Sequence, residues 1–239
     1  MIREHFEIGQ TAVTIISETK EYIGIAKDAV FDARYQIERK ISEDPYFMTT
    51  YEPYAPSDDD GCVVRNMCNS SLAASVGPMA AVAGAIAGYA VERMKDAGSK
   101  YAIVDNGGDI AMICDRTVHI GLYADINGQR LSLRIPPTAD VLGICSSSAS
   151  VGPSVSLGKS DISTVISKDV PLADACATAL GNLIKEREGM EEHLETICDI
   201  DGIIGCLAYC DGMIGICGDV PELVSCEMND HIITKIVLG

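Results

Sequence analysis

The period of the apolar positions changes several times along the chain. Residues 8–18 partly alternate and carry Val13, Ile15 and Ile16, the β-branched pattern of a strand. From residue 21 to 41 the spacing becomes helical. Ile23, Ile25, Ala26, Val30, Ala33, Ile37 and Ile41 share one face and charged residues take the other. Pro45 ends that helix. Residues 46–61 hold Pro53, Pro56, Tyr46, Tyr51, Tyr54 and the run Asp58-Asp59-Asp60, which reads as a loop with a solvated acidic tip. Its spacing lacks the EF-hand pattern for calcium. Residues 64–71 read as a helix or connector, and 79–97 as a long helix stopped by Gly98.

Short apolar runs follow at 101–104, 110–114, 118–124 and 131–135, with Asp115-Arg116 and Asn127-Gly128 as turns. This is the signature of a β-meander. Residues 143–161 are rich in Ser and Gly, and 164–166 form an apolar strand. Residues 170–186 read as a helix with Asp169 as N-cap and Pro171 in its first turn. Residues 189–196 are helical too. The remainder is β-rich and contains a near-repeat, Asp201-Gly202-Ile203-Ile204-Gly205-Cys206 and Asp211-Gly212-Met213-Ile214-Gly215-Ile216-Cys217, with Asp211-Gly212 as a hairpin turn. Interspersed helices and hairpins place the chain in the α+β class, with mixed or antiparallel sheets and packed helices. No Pro/Ser linker interrupts it, so one domain over residues 1–239 is expected.

Charge narrows the function. The formal net charge of −17 repels phosphate backbones and anionic membrane surfaces, so neither a nucleic acid nor a membrane is expected as partner. An anionic ligand here needs a bound cation or a ring of backbone donors. Residues 74–91 carry no charge but are mostly Ala and Gly, which suits a buried helix better than a membrane span. Ten cysteines follow an N-terminus, MIREHFEIGQ, that lacks an apolar signal core. Free thiols and a cytoplasmic location are expected. The Ala-rich helix and β-rich C-terminus permit a homodimer.

Three segments offer chemistry. Asp105-Asn106-Gly107-Gly108-Asp109 lies between two apolar strands. It is either a capped tight hairpin or a backbone cradle for a ligand. Ser146-Ser147-Ser148, running on to Gly158-Lys159-Ser160-Asp161, supplies hydroxyls, amides and one cation. These suit a phosphate or polar cofactor, or a polar turn. The Gly spacing and the strand that follows exclude a Walker A loop. In Asp174-Ala175-Cys176-Ala177-Thr178-Ala179, Asp174 and Thr178 stand four residues apart on one helix face. They pair a carboxylate with a hydroxyl, hard ligands suited to Mg²⁺. The alternative is an Ala-rich packing helix.

In this order the segments resemble the ApbE-type superfamily, the FAD:protein FMN transferases. That pattern runs Ala-Lys-Gly-Tyr-Ala, Gly-Gly-Asp, Thr-Ser-Gly and Asp-Ala-x-Ala-Thr-Ala. It stands here as Ala87-Gly88-Tyr89-Ala90, Asn106-Gly107-Gly108-Asp109, Ser146-Ser147-Ser148 and Asp174 to Ala179. The whole chain is closer to an uncharacterised prokaryotic branch of that superfamily. That branch carries Val-Gly-Pro-Met-Ala-Ala-Val-Ala-Gly, here Val76 to Gly84, and Gly-Lys-Ala-Asp, here Gly158-Lys159-Ser160-Asp161. The resemblance implies an ApbE-like fold and a site for FAD or a related nucleotide with Mg²⁺. The metal falls to Asp174, Thr178 and the carbonyl of Ala87. The flavin end falls to Asn106, Gly107, Gly108, Asp109, Ser146, Ser147, Ser148 and Lys159. It further implies flavin transfer to a protein Ser or Thr. The Lys before Gly-Tyr and the family's His-Ile-x-Asp-Pro segment have no counterpart.

Two other readings stand beside this one. One is sulfur or persulfide handling by the C-terminal thiols Cys198, Cys206, Cys210, Cys217 and Cys226, of which Cys206 and Cys210 have a Cys-x₃-Cys spacing that is not that of a zinc knuckle. The other is a non-catalytic ApbE-fold scaffold using the tyrosine-rich loop as a contact surface. His5, His119, His193 and His231 show no ligand spacing.

Overall fold

The computed structural model describes residues 1–126, 129–148 and 160–225. The Asn127-Gly128 turn, Lys159, Cys226 and His231 lie outside the described residues.

Period-two patterning builds the sheets. The strands are β1 (Ile2–Ile8), β2 (Thr11–Ser17), β3 (Ala102–Asn106), β4 (Asp109–Cys114), β5 (Val118–Ile126), β6 (Gln129–Ile135), β7 (Thr138–Ser147), β8 (Ile162–Ser167), β9 (Ile203–Cys210), β10 (Met213–Gly218) and β11 (Glu222–Ser225). The large sheet runs β1-β2-β3-β4-β7-β8-β9-β10, and a small one runs β11-β6-β5. Every observed pairing is antiparallel. The helices are α1 (Lys20–Glu43), α2 (Tyr46–Thr49), α3 (Cys62–Ala74), α4 (Val82–Asp96), α5 (Val170–Leu183) and α6 (Met190–Cys198).

Alternation sorts the large sheet's side chains between two cores. Val104, Ala111, Cys145, Val165 and Cys206 pack against the helices. Ile103, Ile110, Ile144, Ile166 and Leu207 pack against the small sheet. The result is three layers, helices on the large sheet on the small sheet, in the expected α+β class. Among the described residues no single helix is long and apolar enough to cross a membrane. The uncharged stretch 74–91 is cut instead by Ser75 in the left-handed region (φ 55°) and a 3-10 turn at Pro78–Ala81.

Several expectations are corrected. The strand expected at 8–18 forms as β2, and it is the second arm of a hairpin whose first arm, β1, pairs with it along its length across a turn at Gly9 (φ 56°). The 46–61 loop contains α2, and its acidic tip is not wholly solvated. Asp60 is buried and paired with Lys40 Nζ at 2.8 Å, while Ser57 N donates to its other oxygen at 2.7 Å. The Ser-rich run from 143 continues β7 as far as Ser147. Helix α5 stops at Leu183 rather than residue 186. The Asp211-Gly212 hairpin forms as expected, with both residues at positive φ.

Helix α5 is buried along most of its length, because its Ala-rich surface lets it sink between α3, α4 and the sheet. Asp169 caps it, accepting from Leu172 N at 3.1 Å, and Pro171 needs no amide partner there. At Gly84 a methyl would lie 2.7 Å from Asp174 Cβ and 2.8 Å from Val170 O. Only a glycine admits α5 this close to α4. Gly143 serves β7 in the same way, where a methyl would lie 2.9 Å from Val170 Cα.

Candidate functional site

The close approach of α4 and α5 carries a carboxylate into the seam. Asp174 Oδ2 accepts from Gly84 N at 2.7 Å, in the first turn of α4. Helix amides at that position point outward and favour negative charge. Asn106, which ends β3, donates Nδ2 to Ala83 O at 3.1 Å and ties the β3–β4 hairpin to the same turn. Gly107 (φ 73°) and Gly108 (φ 105°) make that hairpin, and Asp105 Oδ1 accepts from Gly108 N at 3.0 Å. The capped hairpin, one of the two expected readings of this segment, is thus formed.

Asp109 opens β4 opposite Cys145 of β7. Its side chain lies against Asp174, within side-chain hydrogen-bonding reach. Two buried carboxyls thus face each other. Burial is the main force raising both, since it penalises the charged form. It pushes Asp174 up to about 7 against the pull of the Gly84 and Ala83 amides and of Asp109. Asp109 is held well above the carboxylate range by burial first and by the charges of Asp174 and Asp105 next. Asp105 is pushed to about 6 by burial, opposed by Gly108 N, Arg3 and His5.

The sign of the linkage follows. Asp174's folded value lies above its ordinary 3.8, so its contribution to stability is full below about pH 4 and is lost as pH rises through 7. A cation bound to the carboxylate would displace the proton and reverse that loss. The expected result is that the melting-temperature difference between Mg²⁺ and EDTA widens from pH 5 to pH 8. A difference independent of pH would remove Asp174 from the site.

The other expected site residues divide between this seam and its surroundings. Thr178 lies one turn beyond Asp174 on α5 and is half-buried. Ala87 is fully buried inside α4, one turn past the residues that meet Asp174, with its carbonyl within the helical ladder. Alternation splits the Ser run. Ser147 shares the helix-facing parity of Cys145 and is buried. Ser146 shares the parity of Ile144 and bonds Thr164 Oγ1 at 2.8 Å on the side of the small sheet. Ser148 Oγ donates to Asp161 O at 2.7 Å. Lys159 lies outside the described residues. Ala83 and Gly84 were not read from the sequence as site residues, although Gly84 closes the Val-Gly-Pro-Met-Ala-Ala-Val-Ala-Gly motif that was.

The thiols form a separate group. Cys198 Sγ and Cys206 Sγ are 3.7 Å apart, and Cys217 of β10 stands opposite Cys206 of β9. Burial pushes Cys198 up to about 11 and Cys206 higher, so both are protonated and weakly nucleophilic at neutral pH. Among the described residues no group of three or more His, Cys, Asp or Glu is arranged to hold a metal ion. On the tyrosine-rich segment, Tyr46 and Tyr51 are exposed.

The family model described as AbpE bacteria matches residues 2–197. The chain belongs to this ApbE-like family. Among its relatives, a UPF0280 protein of Methanothrix thermoacetophila is 45% identical over 237 residues, covering 98% of this chain and all of the relative. A second UPF0280 protein, of Archaeoglobus fulgidus, is 43% identical over 240 residues with the same coverage. The solved structure titled Flavin Transferase ApbE from Vibrio cholerae superimposes with a TM-score of 0.62 at 14% identity, covering 92% of this chain and 96% of that one. At that identity the likeness is one of fold.

Proposed function

We propose that this ApbE-like protein binds FAD or a related nucleotide through Mg²⁺ at the α4–α5 seam. Its reaction on an acceptor is then transfer of FMN to a protein hydroxyl, forming a phosphoester as the pyrophosphate bond of FAD breaks, AMP leaves and the hydroxyl proton is released. The observation that carries this reading is the buried Asp109–Asp174 pair beneath the first turn of α4.

The donor set fits a hard divalent cation. Asp174 and Thr178 share one face of α5, the backbone of α4 adjoins them, and the seam is acidic. Asp174 and Thr178 would hold the ion. When bound, Mg²⁺ polarises a pyrophosphate and offsets its charge, which a chain of −17 cannot do with its own field. The protein's own residues do the positioning. Gly84 N fixes one oxygen of Asp174, Asn106 locks the β3–β4 hairpin onto α4, and Gly107 and Gly108 keep the hairpin free of side chains. Cys145 and Ser147 form the buried floor beside Asp109.

Thermal unfolding tests the reading. EDTA-stripped protein is heated with FAD alone, Mg²⁺ alone, and both. Ligands that bind together stabilise by more than the sum of their separate effects. Additive or absent shifts would contradict metal-dependent nucleotide binding.

A further inference from the structure

The seam leaves one polar atom without a partner. Asp109 Oδ1 is buried and makes no hydrogen bond among the described residues. An unsatisfied buried oxygen costs roughly 1–3 kcal/mol, more when charged. The groups acting on the pair include hydrogen-bond donors but no cation. Asp109 carries the repulsion of Asp174 and Asp105, and the Ser146 amide and Cys145 hydrogen-bond its carboxyl without supplying a partner to Oδ1. Asp174 feels the Gly84 and Ala83 amides and Asp109. Neither set contains a Lys, Arg or His. A proton shared between the carboxyls accounts for their mutual contact but leaves Oδ1 idle.

We propose that Asp109 is itself a ligand of the divalent cation, joining Asp174 so that two carboxylates hold one ion. This rests on the metal-site reading above and adds to it a ligand from the sheet side of the seam. The geometry supports it from two directions. Asp109 is delivered by β4, whose register against β7 is set by the Asp109–Cys145 pair. Asp174 is delivered by α5, held by Gly84 N. The two carboxyls come from different layers, one from the sheet and one from a helix, and they meet. Two carboxylates cancel the charge of a divalent ion, so this site takes up the metal alone, before any nucleotide arrives. A site with Asp174 as its single carboxylate would depend on nucleotide phosphates for tight binding.

Mn²⁺ is the probe, followed by the loss of its free-ion electron paramagnetic resonance signal at pH 8 and without nucleotide. Wild-type protein, Asp109→Asn and Asp174→Asn are compared. Both variants are expected to bind roughly tenfold more weakly or worse. Unfolding in EDTA is the control, and Asp109→Asn is expected to melt no lower than wild type because it removes a buried repulsion. Should Asp109→Asn fail to fold, Asp109→Ala supplies the same readout. Wild-type affinity in Asp109→Asn with loss in Asp174→Asn would overturn the proposal and leave the metal site standing. No Mn²⁺ uptake by wild type would overturn both.

Discussion

Asp174→Ala is expected to weaken the proposed magnesium-dependent binding of FAD by about 100-fold or more, equivalent to roughly 2.7 kcal/mol. The size follows from its position. Asp174 lies on the face of α5 that meets the first turn of α4, and its Oδ2 is already oriented by Gly84 N. Removing the carboxylate takes away a group already desolvated on folding, and with it the charge that the proposed ion would meet. It also leaves the Gly84 amide unpaired. Asp174→Asn keeps that hydrogen bond and the shape while losing the charge, so it separates ligation from packing. Flavin fluorescence titration in Mg²⁺ reads both variants. Wild-type affinity in Asp174→Asn would exclude the carboxylate from binding.

Gly84→Ala damages the same seam sterically. The added methyl would lie 2.7 Å from Asp174 Cβ and 2.8 Å from Val170 O. One of these obstacles is backbone, so a side-chain rotation cannot absorb the clash and α5 must shift. Overpacking of this kind costs about 1–3 kcal/mol. For a chain of this size the melting temperature falls by roughly 2–4 °C per kcal/mol. Thermal unfolding is expected to show that fall together with a loss of the Mg²⁺ response. An unchanged melting temperature would mean that the two helices are not held at this spacing.

Much of this site was legible in the chain, and the reasons for the rest are specific. Asn106-Gly107-Gly108-Asp109 forms the expected hairpin because two glycines at positive φ leave few alternatives. Asp174 and Thr178 could be placed on one face because helical spacing is local. The β1 strand was missed because its outward positions are charged, so its alternation reads like polar chain until β2 is set beside it. The division of Ser146 from Ser147 depends on which face of β7 is covered, a property of the register with β4 and β8. That Gly84 meets Asp174 depends on where α4 begins after the 3-10 turn. The unpaired oxygen of Asp109 is invisible in sequence, since it arises only when residues 65 positions apart are brought together.

The most direct test of the central claim is an equilibrium titration of EDTA-stripped wild-type protein with FAD, followed by flavin fluorescence, with and without Mg²⁺. The account predicts saturable binding that requires the metal. Equal binding in both conditions, or none in either, would contradict it.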